Sequence, residues 1–482
     1  MVDGRRAIAQ TRYMELPRGI AVVDAGFTNT KILLFSAAGE LIAQRTAASA
    51  HVEGPPYRHT DPDPMVQMMR AALPELDRIL PIDAVVPCAH GAALACLASD
   101  GSLAMPVMDY TAEPPEEIVA DYKKIMPSFA ESGCPLLPMA LTHGLQLYWQ
   151  QRVFPEEFAS ITNVMPWIQY VAFRLAGRAV IEITGMSCQS HLVDVMHGGL
   201  SSLVCKQGWK SLFPPMVKAW ETIGDLKPEF RGGNFRGVGR VLAGIHDSSA
   251  NYLRYLAGGL DRFTLVSTGT WSICLDNTTA IGALREELDT VSNTDIFGRT
   301  VATSRFFGGK EFEILAGPAP VAGRSLDHVT SFVERNIMAL PSFTWSSGPM
   351  PGSGNRGRIL GECQDAERAS LASLYCALMV SEQLDAIGAR HRVIVDGPFA
   401  SNPVFLAVLA QLRGGQKLFA SELRHGTAAG AACLALMAGE RLPRIELQLA
   451  PVAAPGIEGL EHYQGLWKKS ARVGTAVRLD GV

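Results

Sequence analysis

Short apolar stretches, separated by turns of glycine, proline and polar residues, alternate along this chain with longer stretches whose apolar residues recur at helical spacing. The short stretches predict strands at residues 20–24, 31–35, 41–45, 84–87, 392–396 and 418–420. The longer stretches predict helices at residues 63–80, 145–149, 165–175, 250–256, 367–388, 403–411 and 427–437. Strands that alternate with helices in both halves of the chain predict an α/β fold.

Two predicted strand pairs share one pattern, in which an apolar strand enters a turn of glycine and hydroxyl residues and a second apolar strand leaves it. The first hairpin spans residues 20–35 and the second hairpin spans residues 263–276. Glycine lets the backbone approach a ligand closely, and exposed amides with threonine hydroxyls donate hydrogen bonds to phosphate oxygens. Two such hairpins at corresponding places predict a duplicated fold that closes on one nucleotide.

Phosphoryl transfer from a nucleotide requires a phosphate cradle, a metal site and a base that takes the proton of the acceptor. The sequence contains no Walker-type G-x-x-x-x-G-K-[ST] loop, so the hairpins have to supply the cradle. Asp24 ends the first predicted strand and is a candidate ligand of Mg²⁺, which keeps several waters and needs few carboxylates. The alternative is that Asp24 only stabilises its turn. Lys31 is placed to reach a phosphate, although a lysine at the start of a returning strand is often only solvated.

Asp247 is the candidate base, because it lies between the apolar run 238–245 and the predicted helix 250–256. A carboxylate at such a junction lies at the mouth of a cleft, where desolvation is expected to raise its basicity. The structural alternative for Asp247 is an N-cap of the helix. His246 precedes it, but adjacent residues rarely face each other in the geometry of a catalytic dyad.

A predicted strand, a tight turn and a capped helix follow one another between residues 392 and 411. Asp396 and Gly397 form the turn, and Asn402 before Pro403 is a favourable N-cap with proline in the first helical turn. A crevice at the carboxyl ends of strands is where α/β sheets bind ligands, so this segment is a candidate site for the base and ribose of a nucleotide.

The composition narrows the class of protein. A chain of 482 residues exceeds a single core, so we predict two domains, at residues 1–242 and 243–482, divided after the glycine- and arginine-rich segment 231–240. A net charge of −4 without blocks of like charge disfavours a nucleic-acid partner, and no apolar run approaches the ~20 residues of a membrane helix. Nine scattered cysteines without a Cys-x-x-Cys pair indicate reduced thiols. Reduced thiols imply a reducing compartment, so a cytoplasmic protein is expected, and the N-terminal residues lack the pattern of a secretory signal.

In their order and spacing, the first hairpin, the His246-Asp247 pair before a helix, the Gly-Thr-Trp turn and the Asp-Gly turn resemble the FGGY carbohydrate kinases. The resemblance covers nearly the whole chain, and these enzymes belong to the actin-like ATPase superfamily. It implies two actin-like (ribonuclease-H-like) α/β domains with a ligand cleft between them, ATP and Mg²⁺ as cofactors, and a small sugar as substrate. A homodimer is expected only because members of the family often form one.

The resemblance assigns roles to individual residues. Asp247 matches the general base that takes a proton from the attacking sugar hydroxyl, and with Asp24 it is expected beside the metal. His246 is implied to be a neighbour of the base without a chemical part. The implied nucleotide-binding residues are Gly26, Thr28, Asn29, Lys31, Gly269, Thr270, Trp271, Asp396, Gly397 and Asn402.

The segment expected to hold the sugar departs from the family pattern. Where many members have a Trp-x-Asp-x-Arg run, this chain has residues 108–112, which lack both Trp and Arg. His90, Asp109 and Tyr110 are the candidate sugar contacts. The Gly-Thr-Trp turn is shared with kinases of 6-deoxy-ketohexoses such as L-rhamnulose and L-fuculose, which favours a substrate of that kind.

Three alternatives stay open at the level of the sequence. Xylulose, ribulose and erythritol are alternative acceptors, because the groups that recognise one hydroxyl cannot be located. A nucleotide-driven switch of the actin or chaperone type is an alternative of another class, and the His-Asp-Ser-Ser segment argues against it because it supplies a base for an alcohol. A catalytically weak sugar sensor is the third alternative.

Overall fold

A computed structural model describes residues 18–318 and 323–473 of the chain. The strands are β1 Gly19–Ala25, β2 Asn29–Ser36, β3 Leu41–Ala48, β4 Ala50–Val52, β5 His59–Asp61, β6 Ile82–Ala89, β7 Leu94–Leu97, β8 Leu103–Met105, β9 Val107–Met108, β10 Asn163–Pro166, β11 Ile181–Glu182, β12 Met216–Val217, β13 Thr222–Asp225, β14 Arg240–Leu242, β15 Ile245–His246, β16 Phe263–Thr268, β17 Ser272–Asp276, β18 Thr290–Thr294, β19 Thr300–Phe306, β20 Met338–Leu340, β21 Arg358–Leu360, β22 Arg392–Asp396, β23 Leu418–Ser421 and β24 Leu449–Val452. The helices are α1 Asp63–Ile79, α2 Glu116–Lys123, α3 Phe129–Ser132, α4 His143–Val153, α5 Pro155–Ala159, α6 Trp167–Ala176, α7 Ile183–Ser187, α8 Ser202–Lys206, α9 Pro228–Arg231, α10 Asp247–Ala257, α11 Gly308–Ala316, α12 Leu326–Arg335, α13 Arg368–Ala386, α14 Pro403–Leu412, α15 Gly426–Ala432 and α16 Leu460–Val473. The predicted α/β class is confirmed.

The first sheet contains the first hairpin. Its strand order is β13-β14-β6-β1-β2-β3, with β15 also paired to β6. The strands β1, β2 and β3 form an antiparallel meander, whereas β6 runs parallel to β1. The hairpin register places Asp24 opposite Lys31 and Ala25 opposite Thr30 at the turn end of the strands. Nearly every residue of β1 and β6 is buried, as expected for strands that are covered on both faces.

The second sheet repeats this arrangement around the second hairpin. Its strand order is β18-β19-β17-β16-β22-β23-β24. The strands β16, β17 and β19 form an antiparallel meander, and β22 runs parallel to β16 just as β6 runs parallel to β1. Each hairpin therefore has a parallel strand beside its first strand. This shared topology is the duplication that the two hairpins predicted.

The two halves share a core as well as a topology. One buried apolar cluster combines Ile20 and Val22 of β1 with Ala250 of α10 and Ala428 of α15. Helices α10 and α15 approach each other at backbone distance, since a Cβ atom on Gly430 would lie 1.8 Å from the carbonyl oxygen of Ala250. Only glycine fits such a contact, so the small residues of α15 allow close packing between the two helices.

Two predicted helices differ from the structure. Met165 belongs to β10, and the helix begins only at Trp167, because Pro166 lacks the N–H group that a helix interior requires. The small-residue helix predicted to reach residue 437 ends at Ala432, where a 3₁₀ turn at Cys433–Leu436 tightens the chain. The predicted cap of α14 is present, since Asn402 Oδ1 accepts a hydrogen bond from the N–H of Phe405 at 3.1 Å.

The segment 346–357 has the glycine, serine and proline content typical of a surface loop, and it is a loop that lies partly inside the protein. Ser346, Met350 and Ser353 are buried, and Ser353 Oγ lies 2.8 Å from Ser342 Oγ. The domain boundary at residue 242 stays a prediction. In the described part of the chain, no helix combines the length and apolar character needed to cross a membrane.

Candidate active site

Both hairpin turns line one cleft with a volume of about 350 Å³. The cleft brings together most of the residues that the sequence singled out. They are Asp24, Gly26, Thr28, Asn29, Lys31, His90, Tyr110, Asp247, Gly269, Thr270 and Trp271. The predicted site residues outside its lining are Asp109, Asp396, Gly397 and Asn402.

The first turn is held by the chain that follows β3. Ser49 donates from its N–H to the carbonyl of Thr28 at 3.0 Å and from its hydroxyl to the carbonyl of Gly26 at 2.8 Å. His51 Nε2 lies 2.9 Å from the carbonyl of Phe27. These bonds hold the turn in place, and Thr28, whose hydroxyl can donate to an anion, is exposed.

The second turn is held from the other side of the cleft. The N–H of Gly269 donates to the carbonyl of Trp271 at 2.8 Å, and the N–H of Gly309 at the start of α11 donates to the carbonyl of Thr270 at 3.1 Å. The Trp271 ring stacks on Phe307 with centroids 4.4 Å apart. Tyr110 and Trp271, which come from the two halves of the protein, both line the cleft. The turn itself stays accessible, with Gly269 and Thr270 exposed.

Two carboxylates lie in the cleft close enough to affect each other. Burial and the charge of Asp247 raise the pKa of Asp24 to about 7, and Lys31 opposes that shift. A divalent cation beside the two carboxylates would offset the repulsion between their negative charges, which contributes to the raised pKa of Asp24. Among the residues that the structure describes, no group of three or more His, Cys, Asp and Glu residues forms a closed metal site. Two carboxylates with water fit Mg²⁺, which usually keeps most of its waters.

His246 lies closer to the candidate base than the sequence indicated. His246 Nε2 is 3.1 Å from Asp247 Oδ1 and 3.3 Å from Cys188 Sγ. The expectation that these neighbours do not face each other is wrong, because the chain turns from the short strand β15 directly into α10 at Asp247 and folds the two side chains together. His246 occupies the N-cap position and Asp247 is the first helical residue.

The ionisation of this pair also differs from the expectation. Burial alone would raise the pKa of Asp247, but His246 and His90 outweigh it, so the pKa is lowered. Burial opposes the charged form of His246, but Cys188 and Asp247 outweigh it, so the pKa of His246 is raised. Asp247 is therefore ionised at neutral pH, and its side chain is still 35% exposed. Within the described residues its hydrogen bonds and ion pair fall on Oδ1, which leaves Oδ2 to accept a proton.

Asp109 is buried outside the cleft, and its predicted contact with a sugar has no support in this geometry. Its Oδ2 atom lies 2.8 Å from His51 Nδ1 and 3.1 Å from Arg58 Nε, and Thr111 donates to Oδ1. Burial would raise the pKa of Asp109, but these hydrogen bonds hold it at about 2. Because His51 also reaches the carbonyl of Phe27, Asp109 braces the first turn through His51.

The Asp396-Gly397 turn lies behind the second hairpin. Asp396 forms a buried ion pair with Arg254, with Oδ2 3.2 Å from Nη1. Gly397 has a φ of +86°, and a Cβ atom there would lie 1.9 Å from the carbonyl oxygen of Thr268. Asn402 is buried and engaged in capping α14. In this geometry Asp396 and Gly397 support the hairpin that lines the cleft, since the Thr268 hydroxyl donates to the carbonyl of Asp396 at 2.6 Å. Direct contact of the three residues with adenosine stays a prediction.

Several cleft residues were not found from the sequence. Asn293 of β18 and Thr303 and Arg305 of β19 contribute one wall, and Cys188 and Gln189 contribute another part. The signal was present in the sequence of β19, because Thr303 and Arg305 are polar residues at alternate positions of a strand that also contains Val301 and Phe306. A charged residue at such a position indicates a polar cleft and not a core.

Each half of the chain matches a family model, and both models belong to the same family. Residues 20–253 match the family model described as the N-terminal domain of the FGGY family of carbohydrate kinases, and residues 260–443 match the C-terminal domain model described as carbohydrate kinase FGGY. No curated protein sequence matches the chain.

Solved structures resemble the chain over almost its whole length. A carbohydrate kinase from Novosphingobium aromaticivorans is 31% identical, with a TM-score of 0.81 over 95% of this chain and 99% of that one. A xylulose kinase from Lactobacillus acidophilus is 16% identical, with a TM-score of 0.81 over 96% and 99% of the two chains. Plasmodium falciparum glycerol kinase with ADP is 14% identical, with a TM-score of 0.76 over 96% and 99%. The last two, at such low identity, show the fold alone.

Proposed function

Because the chain belongs to the FGGY family of carbohydrate kinases, we propose that it transfers the γ-phosphoryl group of ATP to a hydroxyl of a small ketose. The observation that carries the proposal is that both hairpin turns and Asp247 line a single cleft. Phosphoryl transfer depends on positioning and on stabilising charge, and the cleft offers donors for phosphate oxygens beside an ionised carboxylate.

Asp247 is the proposed base. Its ionised carboxylate accepts the proton of the acceptor hydroxyl through Oδ2 as that oxygen attacks the γ-phosphorus. The contact between His246 Nε2 and Oδ1, at 3.1 Å, fixes the orientation of the carboxylate. The position of Asp247 at the first turn of α10 adds the favourable interaction of a negative charge with a helix N-terminus.

The two turns are the proposed phosphate cradle. Exposed backbone N–H groups and the hydroxyls of Thr28 and Thr270 donate to phosphate oxygens, and Lys31 adds a positive charge. Asp24 and Asp247 would hold Mg²⁺, which when bound neutralises charge on the phosphates. Closure of the two halves excludes water, which would otherwise compete as the phosphoryl acceptor.

A 6-deoxy-L-ketohexose is the acceptor that we propose. The Gly-Thr-Trp turn supports it, and so does a small apolar wall in the cleft formed by Ala92, Leu141 and Val291. A hydrophobic wall discriminates by about 1–3 kcal/mol for each methyl-sized group, so it favours a methyl over a hydroxymethyl group only moderately. Xylulose, ribulose and erythritol are therefore the alternative acceptors to compare.

The test of this mechanism is the variant Asp247→Asn. We expect turnover with the acceptor to fall about 100- to 10,000-fold, the usual contribution of a general base. Folding and the KM for ATP are expected to stay close to those of the wild type, because asparagine has the same size and the hairpins are unchanged.

Asp261→Asn is the matched control, since Asp261 is exposed and follows α10 outside the cleft. It should keep wild-type turnover. Wild-type turnover in Asp247→Asn would contradict the assignment of the base.

A further inference from the structure

Arg305 is a buried cation whose hydrogen-bonding capacity is only partly used. Its side chain is 1% exposed and lines the cleft. Nη2 donates to Asp289 Oδ1 at 3.1 Å, whereas Nε and Nη1 have no hydrogen-bond partner among the described residues. Leaving the N–H groups of a buried guanidinium without acceptors costs free energy. A ligand whose oxygen atoms accept from Nε and Nη1 would remove that cost and is therefore bound more tightly.

A second unpartnered group lies in the same wall. Asn293 Oδ1 is buried and has no donor among the residues that the structure covers. Asn293 and Arg305 come from neighbouring strands, β18 and β19, and both line the cleft. One group can only donate and the other can accept. A ligand that satisfies both has to offer acceptor and donor atoms close together, and a polyhydroxylated compound does so through each of its hydroxyls.

Arg305 lies in a wall of the cleft that is close to residues of the first half of the protein. The strand β18 contacts the first half of the protein, since the N–H of Ser292 donates to the carbonyl of Gly133 at 2.6 Å. The neighbouring Val291 packs in one cluster with Tyr110, which lines the cleft beside the predicted sugar contact His90. The guanidinium also lies over the face of Trp271, with Cζ 5.6 Å from the ring centroid.

We infer that Arg305 binds the phosphoryl acceptor and determines which acceptor is used, by donating from Nε and Nη1 to its oxygen atoms while Asn293 accepts from a hydroxyl. Asp289 already balances the charge of the guanidinium, so the site suits neutral oxygens better than a carboxylate or a phosphate. The inference rests on the proposed function and names a residue of the same site.

The experiment compares Arg305→Met and Arg305→Lys with the wild type by measuring ADP formation with ATP, Mg²⁺ and L-rhamnulose, L-fuculose, xylulose, ribulose or erythritol. With the probe that stimulates the wild type most, we expect the KM for that probe to rise about 10- to 100-fold in both variants, because hydrogen bonds from a charged donor are lost. The KM for ATP is expected to change less than about threefold, because neither substitution alters the groups that are proposed to bind the phosphates.

One control separates binding from structure. Arg299→Met removes a partly exposed Arg–Asp pair next to β19 and should leave the acceptor KM unchanged. Arg305→Lys keeps a positive charge for Asp289, so it guards against a variant that simply fails to fold.

The outcomes distinguish the inference from the function on which it rests. A wild-type acceptor KM in Arg305→Met overturns the inference and leaves the kinase intact. A rise in the KM for ATP without a change for the acceptor also overturns it, because Arg305 would then bind phosphate. If the wild type forms no ADP with any probe, the proposed function fails, and the inference fails with it.

Discussion

Replacement of Asp396 by asparagine tests whether the Asp-Gly turn is structural. The carboxylate accepts from Arg254 at 3.2 Å and from the Tyr255 hydroxyl at 2.7 Å, and the side chains of the ion pair are both 3% exposed. Asparagine keeps the size of the side chain but leaves the guanidinium as an uncompensated buried charge. Removing one partner of a buried pair costs about 3–5 kcal/mol, a large part of the usual 5–15 kcal/mol of unfolding free energy.

The assay is urea unfolding without nucleotide, followed by circular dichroism and by the fluorescence of tryptophan, including the fully buried Trp467 of the C-terminal half. Glu313→Gln is the matched control, because its pair with Lys310 is 45% and 69% exposed on the two sides. Such a surface pair contributes about 0–1 kcal/mol. Arg254→Met combined with Asp396→Asn should recover most of the loss, since no buried charge is then left.

A loss in Asp396→Asn no larger than that in Glu313→Gln would refute this reasoning about the buried pair. The KM for ATP provides the second half of the test. Unchanged stability with a large rise in that KM would indicate direct contact between Asp396 and the nucleotide, as the family resemblance implied. A large loss of stability with a nearly unchanged KM would support the bracing role.

Two further predictions concern packing and pH. Gly430→Ala should lower the free energy of unfolding by about 1–3 kcal/mol, because a Cβ atom would lie 1.8 Å from the Ala250 carbonyl oxygen. Gly465→Ala is the control and should not destabilise the protein, because Gly465 of α16 has open space around it. Equal urea midpoints for the two variants would contradict the backbone contact. His51 is hydrogen-bonded to Asp109, which raises the pKa of His51, while Asp109, with a pKa of about 2, stays ionised. The resulting stabilisation is fully present below the pKa of about 6.5 of an unfolded histidine and is lost as pH rises through the raised folded value. The urea midpoints of the wild type and of His51→Gln should therefore converge between pH 6 and 9, and a constant difference would speak against this coupling.

Local patterns predicted the fold where they were unambiguous. The apolar runs of β1 and β22 ended at a charged residue and a glycine-containing turn, and the structure has them within a residue or two of the predicted bounds. Periodicity alone could not separate β10 from α6, because a buried strand and a buried helix are both continuously apolar. The proline at 166 was the available signal for that boundary.

The site was predicted in its backbone parts and missed in several side-chain parts. Hairpin turns are local, so Gly26 and Gly269 could be recognised from a few neighbouring residues. The contact of His246 with Asp247 and the burial of Asp109 depend on how distant segments pack, which a motif does not encode. Arg305 was missed because no motif contains it, although a charged residue in a strand that also contains Val301 and Phe306 indicated a special environment.

The central claim is that the cleft transfers a phosphoryl group to a sugar, and ADP release from purified protein with ATP and Mg²⁺ tests it most directly. The acceptors compared are L-rhamnulose, L-fuculose, xylulose, ribulose and erythritol. The account predicts that one of them strongly stimulates ADP release and is converted to a phosphate ester in equal amount. ADP release indifferent to every acceptor would contradict it and indicate a nucleotide-driven switch, and no ADP release at all would indicate a sugar sensor.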